Sequence, residues 1–164
     1  MFFALWPPPA LQAALGEWAS GVRRSAGGRP VAAKNIHMTL AFLGEAEPAA
    51  AIAAARRVEG ERFELALDTA RYWRHNQIVW VGPRETPAPL AALAERLQLE
   101  LFRDGFMLER RPFAAHVTLL RRAAPSGALP ALPSLSWPVE AFVLVRSDRD
   151  HEGARYVVME RFPL

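Results

Sequence analysis

Two short stretches of this 164-residue chain carry side chains that can transfer protons and hold an anion. Residues 37–40 and 116–119 both read His-x-Thr-Leu, and almost half of the chain separates them. Histidine titrates near pH ~6.5, so at neutral pH one imidazole can accept a proton while a second donates one. A threonine hydroxyl can donate a hydrogen bond to a phosphate oxygen. The repeated motif predicts acid–base chemistry at a phosphate, carried by its histidines and threonines: His37, Thr39, His116 and Thr118.

Each motif is framed by the alternation of a β-strand. Around the first motif, every second residue is large and apolar: Ile36, Met38, Leu40 and Phe42. Because successive side chains of a strand point to opposite faces, these residues predict the core face and leave His37 and Thr39 together on the other face. Residues 115–120 repeat the pattern, with Leu120 expected beside the second histidine and threonine. A single His-x-Thr is more often structural than catalytic, but two copies in the same frame favour one shared site.

The composition excludes several classes of site. The chain has no cysteine, which rules out disulfides, thiolate metal sites and a cysteine nucleophile. Two histidines without clustered carboxylates form a poor metal-ligand set, so neither a metal nor another cofactor is expected. Only Lys34 among the 20 basic residues is a lysine, and arginine suits phosphate oxygens. A GC-rich genome gives the same bias, so the composition alone says little about nucleic acid.

The apolar start of the chain is too short to span a membrane. It has no basic leader and ends at the three prolines of residues 7–9. These features predict neither a signal peptide nor a membrane span, and we expect a cytoplasmic protein.

Hydrophobic periodicity predicts the element order β-α-β-α-β-β-α-β-β-β. Helices are expected at residues 10–23, 48–58 and 86–105. Strands are expected at residues 1–6, 35–43, 62–67, 77–81, 115–120, 139–145 and 155–159. The third and fourth strands are expected to pair as a hairpin or meander, and the Pro- and Ser-rich residues 125–138 to form a connection.

This order divides near Thr86 into two halves, and each half holds a helix and one His-x-Thr strand. The division predicts an α+β fold with two antiparallel sheets flanking a central groove and helices on the outside. Residues 1–164 are expected to form a single domain of two lobes. Nothing in the sequence suggests a dimer seam, so we expect a monomer.

The doubled motif resembles the signature of the two-histidine (2H) phosphoesterases. Within them it is most similar to the bacterial RNA 2′,3′-cyclic phosphodiesterases, also called 2′-5′ RNA ligases. The likeness extends over residues 2–8, 35–45, 105–121 and 156–164, and so over nearly the whole chain. It implies a bilobal fold with pseudo-twofold symmetry and a metal-independent hydrolysis of an RNA 2′,3′-cyclic phosphate to a 2′-phosphomonoester. By position in the family pattern, His37 would protonate the leaving 3′ oxygen and His116 would activate water, although the residue types alone leave these two roles interchangeable.

Three further residues are candidates for substrate binding. A basic residue often follows the second motif in that family, and Arg121 occupies this place. Strict alternation instead puts Arg122 on the face of His116. A β-bulge would move Arg121 to that face. Arg121 is therefore the first candidate, and Arg122 is left open. Phe113, like Phe106, could stack on a base at the edge of a groove. His75 and His151 lack the strand frame and are expected in loops, outside the site.

The expected partner is RNA or a nucleotide with a 2′,3′-cyclic phosphate, and two alternatives remain open. One keeps the site but changes the reaction, to 2′-5′ ligation of RNA or to hydrolysis of another cyclic phosphate such as ADP-ribose 1″,2″-cyclic phosphate. The other is an RNA-binding module without catalysis, in which the histidines are structural and the arginines bind phosphates.

Overall fold

The two His-x-Thr motifs lead into strands of two different sheets. The computed structural model describes residues 1–151 and 153–164. Within these residues the helices are α1 (Pro9–Ala26), α2 (Pro48–Ala55) and α3 (Ala88–Arg103), and a 3₁₀ turn spans Ala33–Asn35. The strands are β1 (Phe2–Leu5), β2 (Arg29–Pro30), β3 (Met38–Phe42), β4 (Phe63–Leu67), β5 (Thr69–Trp73), β6 (Ile78–Gly82), β7 (Val117–Arg121), β8 (Leu135–Val139), β9 (Ala141–Asp150) and β10 (Gly153–Pro163).

The helices form where the apolar spacing predicts them. The inner face of α1 is buried as predicted and consists of Leu11, Leu15, Trp18 and Val22. The matching face of α3 consists of Leu90, Leu93, Leu97 and Leu101, which are also buried. All three helices carry a proline in the first turn, where its missing N–H costs no helical hydrogen bond. Buried residues from both halves of the chain join in one hydrophobic cluster.

Each motif strand belongs to a different sheet, and each sheet with its motif is one lobe of the fold. Both sheets combine strands from before and after Thr86, so the predicted division of the chain near that residue is wrong. The sheet with the first motif has the order β10-β9-β1-β3, and the sheet with the second has the order β2-β7-β6-β5. All the pairs in both sheets are antiparallel. The predicted α+β class with antiparallel sheets is therefore confirmed.

The predicted pairing between residues 62–67 and 77–81 is wrong. β4 pairs with β8 in a separate two-stranded sheet, and β6 pairs with β5 and β7. The expected connection at residues 125–138 contains most of β8, in which Trp137 is buried while Pro138 is exposed. A proline without an N–H is tolerated because each strand of a two-stranded sheet has one unpaired edge.

The first motif strand contains a register shift. Phe3 pairs with Ala41 and Ala4 pairs with Thr39, so Leu40 is an extra residue in β3. Such a bulge lets two consecutive side chains lie on the same side of the sheet. Leu40 and Ala41 are accordingly both buried.

The second motif strand contains the same irregularity. Val79 pairs with Leu120 and Trp80 pairs with Thr118, which leaves Leu119 as the extra residue of β7. Leu119 and Leu120 are both fully buried. The β-bulge that would place Arg121 on the face of His116 is therefore present.

The two bulges overturn two predictions that strict alternation made. Phe42, expected in the core, is 56% exposed. Leu120, expected beside His116 on the site face, is in the core instead. After the bulge the alternation resumes one residue later, so Phe42 in β3 and Arg121 in β7 both point away from the core. The burial patterns of the two strands are identical.

The short strand β2 holds the end of β7 from the other side. Arg29 pairs with Arg121, and Val31 donates a backbone hydrogen bond to the carbonyl of Leu119 over 2.9 Å. Just before β2, Gly28 has a φ of +87°, and a Cβ on it would lie 2.7 Å from the carbonyl oxygen of Arg121. Glycine at this position therefore allows the close approach of β2 to β7.

We predict that Gly28→Ala destabilises the protein more than Gly105→Ala does. Gly105 has a similar φ of +85° but open space where the Cβ would lie, so its substitution should cost only the left-handed backbone, about 1–2 kcal/mol. Gly28→Ala adds a clash with the backbone of Arg121. Urea unfolding of both variants measures the difference, and equal losses of unfolding free energy would contradict the proposed close approach.

Candidate active site

The imidazole of His37 is oriented by the backbone just before β3. Its Nδ1 lies 2.6 Å from the carbonyl oxygen of Asn35. A carbonyl only accepts hydrogen bonds, so Nδ1 must carry the proton and donate it. The second nitrogen, Nε2, lies 3.1 Å from the hydroxyl oxygen of Thr39. The hydrogen bond to Asn35 thus fixes the tautomer in which Nε2 is the nitrogen free to exchange protons.

The backbone segment that orients His37 is itself held by helix α1. The side-chain amide of Gln12, which is buried, donates to the carbonyl of Ile36 at 3.1 Å and to that of Lys34 at 3.3 Å. These two carbonyls flank Asn35. Gln12 therefore fixes the position of the carbonyl that orients the imidazole of His37.

The second lobe orients its histidine in the same way. Nδ1 of His116 lies 2.7 Å from the carbonyl oxygen of Ala114, so it donates, and Nε2 is again the exchanging nitrogen. In both motifs the acceptor is the residue two positions before the histidine. The two lobes thus present chemically equivalent imidazoles.

Both motifs line one groove of about 950 Å³. Its walls include all the motif candidates and both arginines that the sequence left open: His37, Thr39, His116, Thr118, Arg121 and Arg122. Phe113 lies elsewhere, in a smaller adjoining cavity. Phe106 packs against the hydrophobic core. His75 and His151 lie in turns, as predicted, although His75 lines the smaller cavity.

The groove is strongly cationic. Five basic residues line it: Arg29, Lys34, Arg121, Arg122 and Arg155. None of the described residues in its wall is an aspartate or glutamate. A concave surface with one sign of charge attracts an anion of the opposite sign and raises its local concentration. The described residues also form no group of three or more His, Asp or Glu side chains that could hold a metal ion.

The environment lowers the pKa of both histidines. Burial lowers the pKa of His37 most, and the positive charges of Arg121 and His116 lower it further, against the hydrogen bond to Asn35. Burial and then Arg121 lower the pKa of His116, against the hydrogen bond to Ala114. Without an anion in the groove, both imidazoles are therefore mainly neutral at pH 7. A bound phosphate opposes the charge of Arg121 and favours proton uptake.

Aromatic rings that the sequence analysis did not single out enclose His37. Phe2 stacks on the imidazole with ring centroids 4.8 Å apart, and Trp6 stacks on it at 5.3 Å with an interplanar angle of 7°. Phe2 and Trp6 are four residues apart in an extended segment, so both side chains point to the same face of it and both rings can contact the imidazole. The ring of Tyr156 is perpendicular to it, with ring centroids 5.4 Å apart. Stacked aromatic faces favour the cationic form of an imidazole.

His116 has a different aromatic neighbourhood. Trp73 lies 4.7 Å from its ring centroid and Trp80 lies 6.2 Å from it, and neither ring is parallel to the imidazole. Trp80 pairs with Thr118 across β6 and β7, so its side chain is on the face of the motif. The sequence only partly predicts the aromatic neighbours of His37. Strand alternation places Phe2 and Trp6 on the same face of the first strand, but nothing in the local sequence links that face to His37.

Comparison with known proteins identifies the group to which this arrangement belongs. Residues 7–151 match the family model of the 2′-5′ RNA ligase superfamily. A relative from Escherichia coli strain K12, named RNA 2′,3′-cyclic phosphodiesterase, is 37% identical over 100% of this chain and 96% of its own length. A relative of the same name from Thermus thermophilus is 34% identical over 100% of this chain and 89% of its own length.

Solved structures agree with the sequence comparison. The crystal structure of Escherichia coli LigT complexed with 3′-AMP superposes with a TM-score of 0.92 at 35% identity, covering 99% of this chain and 96% of that chain. The described part of the chain contains no helix both long enough and apolar enough to cross a membrane.

We predict that Arg121→Gln raises the pKa of both His37 and His116, because it removes a positive charge that lowers both values. NMR titration of the imidazole protons in the free protein measures these values. Both should lie below ~6.5 in the unsubstituted protein. Arg122→Gln is the matched control, since Arg122 lines the groove without being a cause of either shift. Unchanged histidine pKa values in Arg121→Gln would contradict the electrostatic role of Arg121.

Proposed function

The chain belongs to the 2′-5′ RNA ligase superfamily, and on that basis we propose that it hydrolyses RNA 2′,3′-cyclic phosphodiester ends to 2′-phosphomonoesters. The observation that carries the proposal is the equivalent orientation of two imidazoles, each with Nδ1 bound to the backbone, in one cationic groove. The names of the relatives, RNA 2′,3′-cyclic phosphodiesterase, agree with it.

The proposed reaction uses the two histidines as base and acid. Neutral His116 accepts a proton from water through Nε2 while the water oxygen attacks phosphorus. The bond between phosphorus and the 3′ oxygen breaks, and protonated His37 donates its proton to that oxygen. The products are a 2′-phosphomonoester and a free 3′-hydroxyl. His116 then releases its proton to solvent and His37 regains one, so no proton is left unaccounted for.

The surroundings of the histidines support this division of roles. Phe2 and Trp6 stack on His37 and favour its cationic form, as an acid requires. His116 has no such pair of parallel rings among the described residues, so nothing comparable favours its cationic form. Burial and Arg121 lower the pKa of both histidines, so the aromatic neighbours alone distinguish the two roles. The resemblance to the family gives the same assignment.

The remaining site residues have binding roles in this proposal. The hydroxyls of Thr39 and Thr118 donate hydrogen bonds to non-bridging phosphate oxygens. The guanidinium of Arg121 offsets the negative charge that develops on those oxygens during the attack. Phe113 contacts the nucleotide from the adjoining cavity. No step is assigned to a metal ion.

We predict that His37→Ala and His116→Ala each lower the turnover of a short RNA with a 2′,3′-cyclic phosphate end by about 10²–10⁴-fold, the usual contribution of one proton transfer. Chromatography that separates 2′- from 3′-phosphate products measures the reaction, with EDTA present throughout. His151→Ala is the matched control, because His151 is exposed in a turn. Far-UV circular dichroism should be unchanged in all three variants.

Other outcomes of this experiment would favour the alternatives. Loss of activity on adding EDTA would contradict the metal-independent reaction. Salt-sensitive RNA binding that survives both His→Ala changes, without turnover in any variant, would favour a binding module.

A second reaction at the same site is 2′-5′ ligation, which the name of the superfamily favours. In ligation, the 5′-hydroxyl oxygen of a second RNA attacks phosphorus in place of water, and His37 and His116 keep their roles. Another cyclic phosphate, such as ADP-ribose 1″,2″-cyclic phosphate, would also fit this chemistry. Comparing rates on short RNAs, on mononucleotides and with added 5′-hydroxyl RNA separates these reactions.

A further inference from the structure

The cationic groove is larger and more highly charged than the proposed reaction requires. Its volume is about 950 Å³, and five basic residues line it. A pocket of this size is at the upper end of the usual range for small ligands, about 300–1,000 Å³. The cyclic phosphate occupies only the part beside the two histidines. The rest of the groove can therefore hold a further anionic group of the same ligand.

Two of the five cations lie directly opposite each other. Arg29 and Arg121 are cross-strand partners in β2 and β7, and both line the groove. The side chains of such partners lie on the same face of the sheet with Cβ atoms about 4.5–5.5 Å apart, and like charges at these positions are destabilising. Neither arginine is paired with a carboxylate among the side chains that the structure describes. An anion bound between them would offset this repulsion.

A third cation, Arg122, has a backbone conformation that does not suit its residue type. Its φ is +54°, in the left-handed region that residues with a Cβ rarely adopt. The next residue prevents relaxation, because Ala123 is buried and its N–H donates to the carbonyl of Gln77 at 3.0 Å. Arg122 itself is exposed and lines the groove, so its packing does not compensate for the strain. Strained residues of this kind cluster at ligand-binding sites.

The three arginines lie at different distances from the histidines. Arg121 lowers the pKa of both His37 and His116, whereas Arg29 and Arg122 are not among the causes of either shift. Coulomb interactions weaken with distance, so Arg121 is the arginine nearest to the imidazoles. A phosphate between the imidazoles therefore interacts with Arg121. Arg29 and Arg122 remain available for a second anion further along the groove.

We propose that Arg29 and Arg122 form a second phosphate site, which binds the phosphate on the 5′ oxygen of the terminal ribose. The inference rests on the proposed function. In that substrate a single ribose separates the cyclic phosphate from the 5′ phosphate, so the two groups must occupy neighbouring parts of the groove. β2 and β7 are adjacent strands, about 4.8 Å apart, and therefore place Arg29 beside Arg121. Guanidinium groups suit this role because they donate two parallel hydrogen bonds to phosphate oxygens.

The second phosphate site defines a class of substrate. It favours ribose cyclic phosphates that carry another phosphate at the 5′ position, as every RNA end longer than one nucleotide does. ADP-ribose 1″,2″-cyclic phosphate belongs to the same class, because the ribose with its cyclic phosphate also carries a phosphate at the 5″ position. Nucleoside 2′,3′-cyclic phosphates with a free 5′-hydroxyl do not, and they should be poorer substrates.

The test compares the binding of two nucleotides that differ only in the 5′ phosphate, adenosine 2′-monophosphate and adenosine 2′,5′-bisphosphate. Isothermal titration calorimetry at fixed pH and salt gives both dissociation constants. The unsubstituted protein should bind the bisphosphate about tenfold more tightly or better, the effect expected from charge-assisted hydrogen bonds to one phosphate. In the double variant Arg29→Gln/Arg122→Gln the ratio should fall to about twofold or less, because only the screened attraction of more distant cations remains.

Arg84→Gln is the matched control, because it removes the same charge from an exposed residue that does not line the groove. It should keep the full ratio. Arg29, Arg84 and Arg122 are all exposed, so none of these changes should alter the circular dichroism spectrum. A double variant that keeps the full ratio would overturn the proposal, and so would an unsubstituted protein that binds both nucleotides equally.

Arg122→Gly separates binding from folding. Glycine adopts a positive φ without strain, so this variant should unfold at a higher urea concentration than Arg122→Gln does. It should nevertheless lose as much of the preference for the bisphosphate as Arg122→Gln loses. A stabilised Arg122→Gly variant that keeps the full ratio would overturn the assignment of Arg122 to the second phosphate site.

Turnover is measured separately, with adenosine 2′,3′-cyclic phosphate and with the same compound phosphorylated on its 5′ oxygen. Absence of turnover of both would refute the proposed hydrolysis, while the binding ratio would still decide whether the groove holds a second phosphate. With turnover present, kcat/KM of the unsubstituted protein should be about tenfold higher for the 5′-phosphorylated compound, mainly through KM. The double variant should lose this difference.

Discussion

The site depends on one interaction that occurs in both lobes, the hydrogen bond from an imidazole Nδ1 to the backbone carbonyl two residues earlier. This bond fixes the tautomer and the ring orientation together, because a carbonyl can only accept and because it belongs to a rigid backbone. In the first lobe that backbone is held in turn by the buried amide of Gln12 on α1. Proton exchange is thereby restricted to Nε2 of each histidine, and a reaction that needs two imidazoles with distinct roles becomes possible.

Three influences act on the same pair of imidazoles, and they oppose one another. Burial and Arg121 lower both pKa values, which favours the neutral base. The aromatic faces of Phe2 and Trp6 favour the cation on His37 alone. A phosphate in the groove favours the cation on both. In the proposed reaction, the neighbours of two otherwise equivalent residues would make one the acid and the other the base.

The symmetry of the two lobes ends directly after the bulges. The motifs, the hydrogen bonds of the histidines and the bulges that follow are the same in both lobes. Directly after the bulges, one lobe presents Arg121 and the other Phe42. The same framework thus orients both imidazoles, while unlike residues follow at one equivalent position.

The sequence by itself determined the elements whose pattern is local. The faces of α1 and α3 follow from a period of 3.6 residues, and the placement of His37 beside Thr39 follows from the alternation of a strand, because backbone geometry sets both periods. The sequence indicates an extra residue only in the second motif strand. There the family pattern favours Arg121 as the basic residue of the site, whereas strict alternation favours Arg122. At Leu40 no such disagreement indicates a bulge, and strict alternation therefore predicts that Phe42 lies in the core, whereas it is exposed.

Tertiary structure decided the pairings and contacts that join distant parts of the chain. β4 pairs with β8 rather than with the nearer β6, Gln12 supports the backbone before His37, and Phe2, Trp6 and Tyr156 surround its ring. None of these leaves a periodic trace in the sequence, because each depends on which surfaces meet when the sheets and helices pack. The histidines and threonines of the candidate site are therefore readable from their spacing, whereas the different surroundings of the two imidazoles exist only in the folded chain.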